Sequence, residues 1–178
     1  MVKRKNHVRW ALLVVCLLTF LSGGCGGSSD SSESNISFYS LSGTWAPHRG
    51  SGTAWGGGYN FRIQLSSPPG LITIDVLNAT REDAAIEIDS EINWDFYYQD
   101  VHFSSVHLGL VGKQKIIIQR IGKNTFQFKT EDGPTVSARF TSDTTLDIEE
   151  SGIYEDPEAG AVSYSVKYSL IKENPEPQ

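Results

Sequence analysis

Apolar and polar residues alternate one by one over much of this chain. Phe61, Ile63 and Leu65 are separated by polar residues, and the same period of two recurs in the segments 72–76, 86–98 and 162–170. Because successive side chains of a strand point to opposite faces of a sheet, this period indicates half-buried β-strands. No convincing helical window appears, although residues 78–85 could hold one helical turn. The pattern therefore predicts an all-β domain.

Short segments rich in turn-forming residues separate the predicted strands. The segment 122–124 reads Gly-Lys-Asn between two alternating stretches and predicts a tight hairpin. Further turns are predicted at 132–134 and 142–143, and a polar loop at 155–160. The run 86–98 is long for one strand and indicates either one bent strand or two strands broken near Asp89 and Ser90. An antiparallel up-and-down β-barrel of about eight to ten strands is predicted, with a β-sandwich as the alternative.

The beginning of the chain has a different composition. Four basic residues lie within residues 1–9, an apolar stretch covers residues 10–21, and the small residues 22–24 precede Cys25. An apolar stretch of this length rises about 18 Å as a helix, which is too short for a hydrocarbon core about 30 Å thick. We therefore expect residues 1–24 to be a cleaved export signal.

This arrangement resembles the signal and lipobox of bacterial lipoproteins, with Ser22 at the position where that family usually has Leu. The resemblance implies cleavage before Cys25, which then receives a diacylglycerol thioether and an N-terminal acyl chain such as palmitate. An ordinary secretory signal that leaves Cys25 as a free thiol is the alternative. Gly26 follows the cysteine where Asp would imply retention at the inner membrane. The resemblance thus implies a lipid-anchored protein of the cell envelope, at the outer membrane facing the periplasm if the source has two membranes.

The mature chain, from Cys25 on, is strongly acidic. Four of the 15 Lys and Arg residues precede Cys25, which leaves 11 against 21 Asp and Glu, a formal charge of −10. Nucleic acid is therefore not an expected partner, because phosphate binding needs a basic surface.

Residues 25–40 are expected to form the lipidated cysteine and a Gly/Ser-rich tether, residues 41–172 the barrel domain, and residues 173–178 a disordered tail. The expected link to the membrane is the lipid anchor, and protein partners are unknown.

The segment Gly43-Thr44-Trp45 leads into the first predicted strand. Together with the antiparallel meander that follows, this Gly-x-Trp motif resembles the lipocalin-like superfamily, in which the Trp closes one end of the barrel. The resemblance also implies a late Arg packed on that Trp, and Arg139 is the candidate. The alternative for Trp45 is a generic aromatic residue of the core.

Aromatic side chains on the inward face of the predicted barrel are the candidate ligand-binding residues. They are Trp94, Phe96, Tyr98, Tyr164 and Tyr168. We predict a non-enzymatic binding protein for a small apolar or amphipathic ligand. The alternative is a structural or protein-interaction lipoprotein with a filled core.

Catalytic and metal-binding patterns are weak in this sequence. His102 and His107 are five residues apart and point to opposite faces of a regular strand, so they do not form a metal site without a bulge. The acidic row at positions 87, 89, 91 and 95 has a spacing of about 6.6 Å between alternate residues, which favours a solvated face over a cation site. We expect no catalytic residues, no metal and no cofactor.

Overall fold

Eleven antiparallel strands follow one another in the computed structural model, which describes residues 36–129, 133–157 and 160–174. The predicted export signal, Cys25 and the tether up to residue 35 lie outside the described residues. A single 3₁₀ turn (Phe38–Leu41) precedes the strands. The strands are β1 (Gly43–Gly56), β2 (Tyr59–Leu65), β3 (Ile72–Ala79), β4 (Asp83–Ser90), β5 (Asn93–Tyr98), β6 (Val101–His107), β7 (Gly112–Arg120), β8 (Thr125–Lys129), β9 (Thr135–Ser142), β10 (Thr145–Asp156) and β11 (Gly160–Lys172).

Eight of these strands close into a ring. The hydrogen-bonded order is β1, β3, β4, β7, β8, β9, β10 and β11, and β11 returns to β1. The first residues of β1, Gly43–Trp45, pair with β3, and β1 pairs with β11 along most of its length. Closure removes the unpaired edges that an open sheet would leave. The predicted antiparallel β-barrel is therefore confirmed.

The other three strands form a branch that a strict up-and-down order does not contain. The last residues of β1, Ser51–Gly56, pair with β2, and the branch continues through β5 to β6. This is sterically feasible because β1 has 14 residues, so β3 and β2 bind successive segments of the same strand edge. We call the end of the barrel that contains Trp45 the proximal end and the end that contains the β1–β2 hairpin the distal end.

Most of the predicted turns are observed. Residues 122–124 connect β7 to β8, and residues 143–144 connect β9 to β10. The long run 86–98 is two strands, β4 and β5, interrupted at Glu91 and Ile92. Residues 78–85 are not helical; they complete β3 and begin β4. Part of the predicted turn 132–134 lies outside the described residues.

The folded domain begins before the predicted boundary at residue 41. Phe38 is 2% exposed and Leu41 3% exposed, so the 3₁₀ turn packs into the core, and residues 36–40 are not part of a free tether. The Ser37 hydroxyl caps the turn by accepting a hydrogen bond from the Tyr39 N–H. At the other end, the Glu173 N–H donates to the Thr44 carbonyl, and the end of the predicted tail, residues 175–178, lies outside the described residues. Among the described residues, no helix has the length and apolar character needed to cross a bilayer.

Trp45 occupies the centre of the proximal end. Its side chain has no solvent exposure, and its indole N–H donates to the Leu41 carbonyl at 2.8 Å. The Phe140 ring packs edge-on against it, with ring centroids 6.1 Å apart. Trp45 therefore does close one end of the barrel, as the Gly-x-Trp motif predicts.

The cation packed on Trp45 is Lys172, and the prediction of Arg139 is wrong. Lys172 is the cross-strand partner of Trp45 in the β1–β11 register, and its Nζ lies 5.3 Å from the indole centroid. Arg139 is mostly exposed and lies 3.7 Å from Asp147 on the outer surface. Gly43 makes room for the lysine, since a Cβ there would come within 2.8 Å of Lys172 Cε, and its φ of +131° is unfavourable for other residues.

Candidate functional site

A carboxyl group lies inside the barrel, where most side chains are apolar. Glu150, on β10, is 6% exposed. Its two oxygens accept hydrogen bonds from two tyrosyl hydroxyls, Tyr164 to Oε1 at 2.8 Å and Tyr168 to Oε2 at 3.0 Å. Burial of a carboxyl without such partners costs several kcal/mol, so the two hydroxyl groups make its position tolerable. We call Glu150, Tyr164 and Tyr168 the carboxyl cluster.

The long β10–β11 hairpin positions this cluster. In its register Ile148 faces Tyr168 and Gly152 faces Tyr164, so Glu150 lies between the two tyrosines on the inner face of the same pair of strands. Side chains two residues out of register in neighbouring antiparallel strands are within reach of long side chains. Strand pairing thus brings the three side chains of the cluster together.

The connection between β6 and β7 covers the cluster from the side. Leu108 is 4% exposed and Leu110 is 7% exposed, and both point into the barrel. Between them Gly109 has φ +74° and lies against Glu150 so closely that a Cβ would overlap the carboxyl oxygens. We call residues 108–111 the plug.

The plug leads directly into the end of β7 that has no ladder partner in β8. Strands β7 and β8 pair only near their shared turn, at Gln119–Gln127 and Arg120–Phe126, and diverge beyond it. By contrast, β7 pairs with β4 along its whole length. The separation of β7 from β8 leaves an opening that an irregular segment can fill without breaking the ring.

A small cavity remains beneath the plug, with a volume of about 50 Å³. Its wall is mostly aliphatic and includes Leu108, Leu110 and the rings of Trp94 and Tyr168. Its polar side chains are Glu150 and Ser90, and Ser90 is 5% exposed with no side-chain hydrogen bond to the described residues. An apolar cavity with few convergent polar groups is the usual composition of a binding site for a small molecule.

Burial controls the ionisation of the carboxyl cluster. Desolvation raises the pKa of Glu150, and the hydrogen bonds from Tyr164 and Tyr168 oppose that change only in part. Desolvation, with the nearby carboxylate as a second cause, likewise raises the pKa of both tyrosines above its ordinary value. Glu150 therefore retains its proton to a higher pH than an exposed glutamate does.

Glu150→Gln should change how stability depends on pH. The pKa of Glu150 is higher in the folded than in the unfolded state, so the folded state binds more protons between these two pKa values. Its contribution to stability is therefore complete below the unfolded pKa and decreases as pH rises towards the folded pKa. We expect Glu150→Gln, which cannot ionise, to be more stable than wild type at neutral pH, and the difference to shrink as pH falls towards 4.5, the ordinary value. Urea unfolding across this pH range measures it, and a difference that grows on acidification would contradict it.

The five predicted ligand-binding aromatics divide between two places. Trp94 and Tyr168 line the cavity with their rings 5.4 Å apart, and Tyr164 joins them through Glu150. Phe96 and Tyr98 belong instead to a group of aromatic rings at the distal end, where both contact Phe61. Four of the five are buried and Tyr98 is partly buried, but Trp94, Phe96 and Tyr98 are on β5, outside the closed ring. Only Trp94, Tyr164 and Tyr168 lie at the carboxyl cluster.

Glu150 itself was not among the predicted site residues. The available signal was the spacing of Leu146, Ile148 and Glu150, which places a carboxyl on the inward face of an otherwise apolar series.

The outer surface of the branch carries a second polar group of residues. Asp95 Oδ1 accepts hydrogen bonds from the hydroxyls of Ser66 at 2.6 Å and Ser105 at 2.7 Å, and His102 Nε2 lies 3.2 Å from Ser105 Oγ. A Ser-His-Asp relay needs the serine to donate to a histidine whose other nitrogen is held by the aspartate. Here Ser105 donates directly to Asp95, and Asp95 faces the same His102 nitrogen at 3.7 Å. The group therefore does not have the arrangement of a Ser-His-Asp relay.

Two members of the acidic row, Glu87 and Asp95, have basic or hydroxyl partners on the outer surface. Glu87 forms ion pairs with Lys113 at 2.7 Å and Lys115 at 3.9 Å, and the Lys113 hydrogen bond holds the pKa of Glu87 below its ordinary value. Ser66, as the strongest cause, similarly lowers the pKa of Asp95. The part of the chain that the structure describes contains no group of three His, Cys, Asp or Glu side chains placed to hold a metal ion.

Comparison with known proteins gives little beyond this geometry. No protein-family model matches the chain, and no curated protein matches it. A solved structure similar to it is the S-type phycobiliprotein lyase CPES from Guillardia theta. The match has 7% sequence identity and a TM-score of 0.36, and it covers 77% of this chain and 90% of that one.

Proposed function

We propose that this chain is a lipid-anchored cell-envelope protein whose barrel binds a small amphipathic molecule with its polar end at Glu150. The carboxyl cluster is the observation that carries this proposal. A filled barrel needs no ionisable group in its interior, and apolar residues of similar volume are generally as stable as buried charged ones. A buried group with a raised pKa beside an apolar cavity is instead typical of a functional site.

Ligand binding in this barrel requires the plug to move. Sites for small molecules usually have volumes of about 300–1,000 Å³, and the cavity measures about 50 Å³. Leu108 and Leu110 are the cavity-lining residues that lie outside the strands, together with Leu41 and Ile92. Displacement of the plug would enlarge the cavity and open it between β7 and β8 while the ring keeps its hydrogen bonds.

Titration with phenylnaphthylamine, a small apolar fluorophore with one N–H group, tests this proposal. We expect saturable binding to wild type and tighter binding to Leu110→Ala, by up to about tenfold, because the variant no longer fills the cavity. Leu77→Ala is the matched control, since Leu77 is 51% exposed on the outer surface. Glu150→Leu should weaken binding of the fluorophore, because it removes the polar partner of the N–H.

The second candidate is a filled scaffold that binds other proteins through its surface. The small volume of the cavity favours it, because eight strands enclose an interior that side chains alone can fill. Native mass spectrometry of the gently purified chain separates the two candidates. A retained lipid-sized adduct supports ligand binding; a clean mass, together with no saturable fluorophore binding to wild type or Leu110→Ala, supports the scaffold.

Cys25→Ser should abolish membrane retention. The proposal places the lipid on Cys25, so the variant should move from the membrane fraction to the soluble fraction and lose labelling by palmitate. The matched control is Cys16→Ser, which changes the other cysteine of the chain and should leave both readouts unchanged. A Cys25→Ser protein that stays in the membrane fraction and keeps its palmitate label would contradict a lipid anchor at Cys25.

A further inference from the structure

An open cleft crosses the outer surface of the barrel wall, on the opposite side of the sheet from the carboxyl cluster. It lies mainly over β1, β11, β10 and β9 and has a volume of about 520 Å³. This volume falls within the range usual for small-molecule sites, about 300–1,000 Å³. The cleft therefore offers room for a ligand without any displacement of the chain.

Strand register arranges the outward side chains of the cleft in two rows. Each row takes one residue from β1, β11, β10 and β9, in that order. The first row is Arg49, Ser169, Asp147 and Arg139. The second row is Ser51, Lys167, Glu149 and Ser137. Because neighbouring strands are about 4.8 Å apart, basic, hydroxyl and carboxylate groups follow one another at about this interval across the cleft.

A second depression, with a volume of about 460 Å³, joins the cleft at Arg49. It lies where β1 branches, since β3 pairs with the first residues of β1 and β2 with the last, and residues 46–50 have no described partner on that edge. His48 is the extra residue of a β-bulge here, and Gln64 and Ser66 line the other wall. The cleft and the depression together form a polar path across five strands, about 19 Å from β9 to β2.

The charges of the cleft nearly balance, although the whole chain has a formal charge of −6. Lys167 Nζ lies 2.8 Å from Glu149 Oε1, and Arg139 Nη2 lies 3.7 Å from Asp147 Oδ2. Arg49 has no ion pair or hydrogen bond from its side chain to the described residues. The cleft thus has three basic groups and two carboxylates, with one guanidinium available where the two depressions meet.

This mixture of groups selects a class of ligand. An anion would meet the two carboxylates at the centre of the cleft, and a cation would meet the basic residues on either side. An apolar ligand would cover charged groups without replacing their contacts with water. An added peptide strand finds no free backbone on β10 and β11 here, because both strands are paired on both sides. A hydroxyl group, by contrast, both donates and accepts, so it can bond every polar group of the cleft.

We propose that the cleft binds a neutral oligosaccharide that lies across β9, β10, β11 and β1, with Arg49 as its anchoring donor. Sugar hydroxyls accept hydrogen bonds from Arg49 and Lys167 and donate to Asp147 and Glu149 on the strand between. An open cleft suits such a ligand, because the hydroxyls that face outward stay in water. The site is separate from the interior cavity and does not depend on ligand binding at Glu150.

A printed array of defined oligosaccharides, both neutral and sulfated, tests the proposal with the full chain. We expect wild type to bind neutral oligosaccharides of several sugar units. Ser51→Tyr is the blocking variant, because its ring fills the cleft from an exposed position of β1. Thr53→Tyr is the matched control, since Thr53 is the next outward residue of β1 and does not line the cleft. Circular dichroism and urea unfolding establish that both variants keep the fold.

Calorimetric titration with the best neutral oligosaccharide of the array then measures the contribution of Arg49. We expect Ser51→Tyr to weaken binding at least about tenfold and Arg49→Ala at least about fivefold. Thr53→Tyr should bind like wild type, and so should Arg81→Ala, whose arginine has an 86% exposed side chain in the β3–β4 turn. Binding should change by less than about twofold between about 0.05 and 0.5 M salt, because salt does not screen an uncharged ligand.

Three outcomes overturn the proposal. The first is an array on which wild type binds no neutral oligosaccharide. The second is a ligand that binds Ser51→Tyr as tightly as wild type, which would place its site outside the cleft. The third is a steep loss of affinity with salt, or binding to sulfated sugars only, either of which would show that the cleft takes an anion.

Discussion

Trp45→Ala is expected to lower the free energy of unfolding by about 3–5 kcal/mol, the usual cost of truncating a buried aromatic residue. Trp45 has no solvent exposure, and truncation would leave a cavity at the centre of the proximal end, against Phe140. It would also leave the Leu41 carbonyl without its indole donor and Lys172 without its aromatic partner. Since whole domains are stable by only about 5–15 kcal/mol, this loss is a large fraction of the total.

Trp55→Ala is the control for Trp45→Ala. Trp55 lies on the same strand, β1, but at its distal end, where it is 59% exposed. We expect its replacement to change stability by no more than about 1 kcal/mol. Urea unfolding followed by far-ultraviolet circular dichroism compares both variants with wild type. Equal midpoints for Trp45→Ala and wild type would refute the closing role of Trp45.

The strands were predictable because their signal is local. Alternation places Val162, Tyr164, Val166 and the residues that follow on one face, and the structure buries that face in β11. The Gly-Lys-Asn hairpin is likewise determined by its own residues. The alternating pattern does not indicate which strands are neighbours in the sheet. The branch arises because β1 is long enough to bind β3 and β2 in succession, and this choice depends on contacts far apart in sequence.

The site residues could likewise be predicted only where the signal was local in the sequence. The alternation with a period of two correctly placed Trp94, Phe96 and Tyr98 on one face of a strand. The position of β5 within the branch, which the alternation does not give, determines that Trp94 lines the cavity and that Phe96 and Tyr98 lie at the distal end. Glu150 was overlooked because a carboxyl inside a barrel contradicts the simple rule that inward residues are apolar. Its two hydroxyl partners are on β11, and their position beside Glu150 depends on the register of the β10–β11 hairpin.

The prediction that Arg139 packs on Trp45 failed for a related reason. Its position late in the chain suggested the role, but the register places Lys172 opposite Trp45 and Arg139 opposite Asp147 on the outer face. A different arginine, Arg120 at the end of β7, packs on aromatic rings of the core. Its guanidinium lies 4.7 Å from the Phe38 ring centroid and 5.0 Å from that of Phe126.

Arg120→Ala is expected to lower the free energy of unfolding by about 2–4 kcal/mol, from three lost hydrogen bonds and two lost cation–π contacts. The guanidinium donates to three backbone carbonyls in separate parts of the chain. Nη2 bonds Ile36 at 2.8 Å, Nη1 bonds Lys123 at 3.0 Å, and Nε bonds Arg81 at 3.1 Å. One side chain thus connects the entry to the 3₁₀ turn with the β3–β4 and β7–β8 turns.

Two further variants test whether the hydrogen-bond geometry of Arg120 or its positive charge alone accounts for the loss of stability. Arg120→Lys keeps the positive charge but cannot reach three carbonyls with one planar group, so it should recover less than half of the loss. Arg139→Ala removes an arginine whose ion pair with Asp147 is exposed to solvent, and should cost no more than about 0.5 kcal/mol. Urea unfolding measures all three, and hydrogen exchange of the Phe38–Leu41 amides should become faster in Arg120→Ala before global unfolding. Full recovery by lysine would show that charge, and not the forked hydrogen bonding, holds the 3₁₀ turn against the proximal end of the barrel.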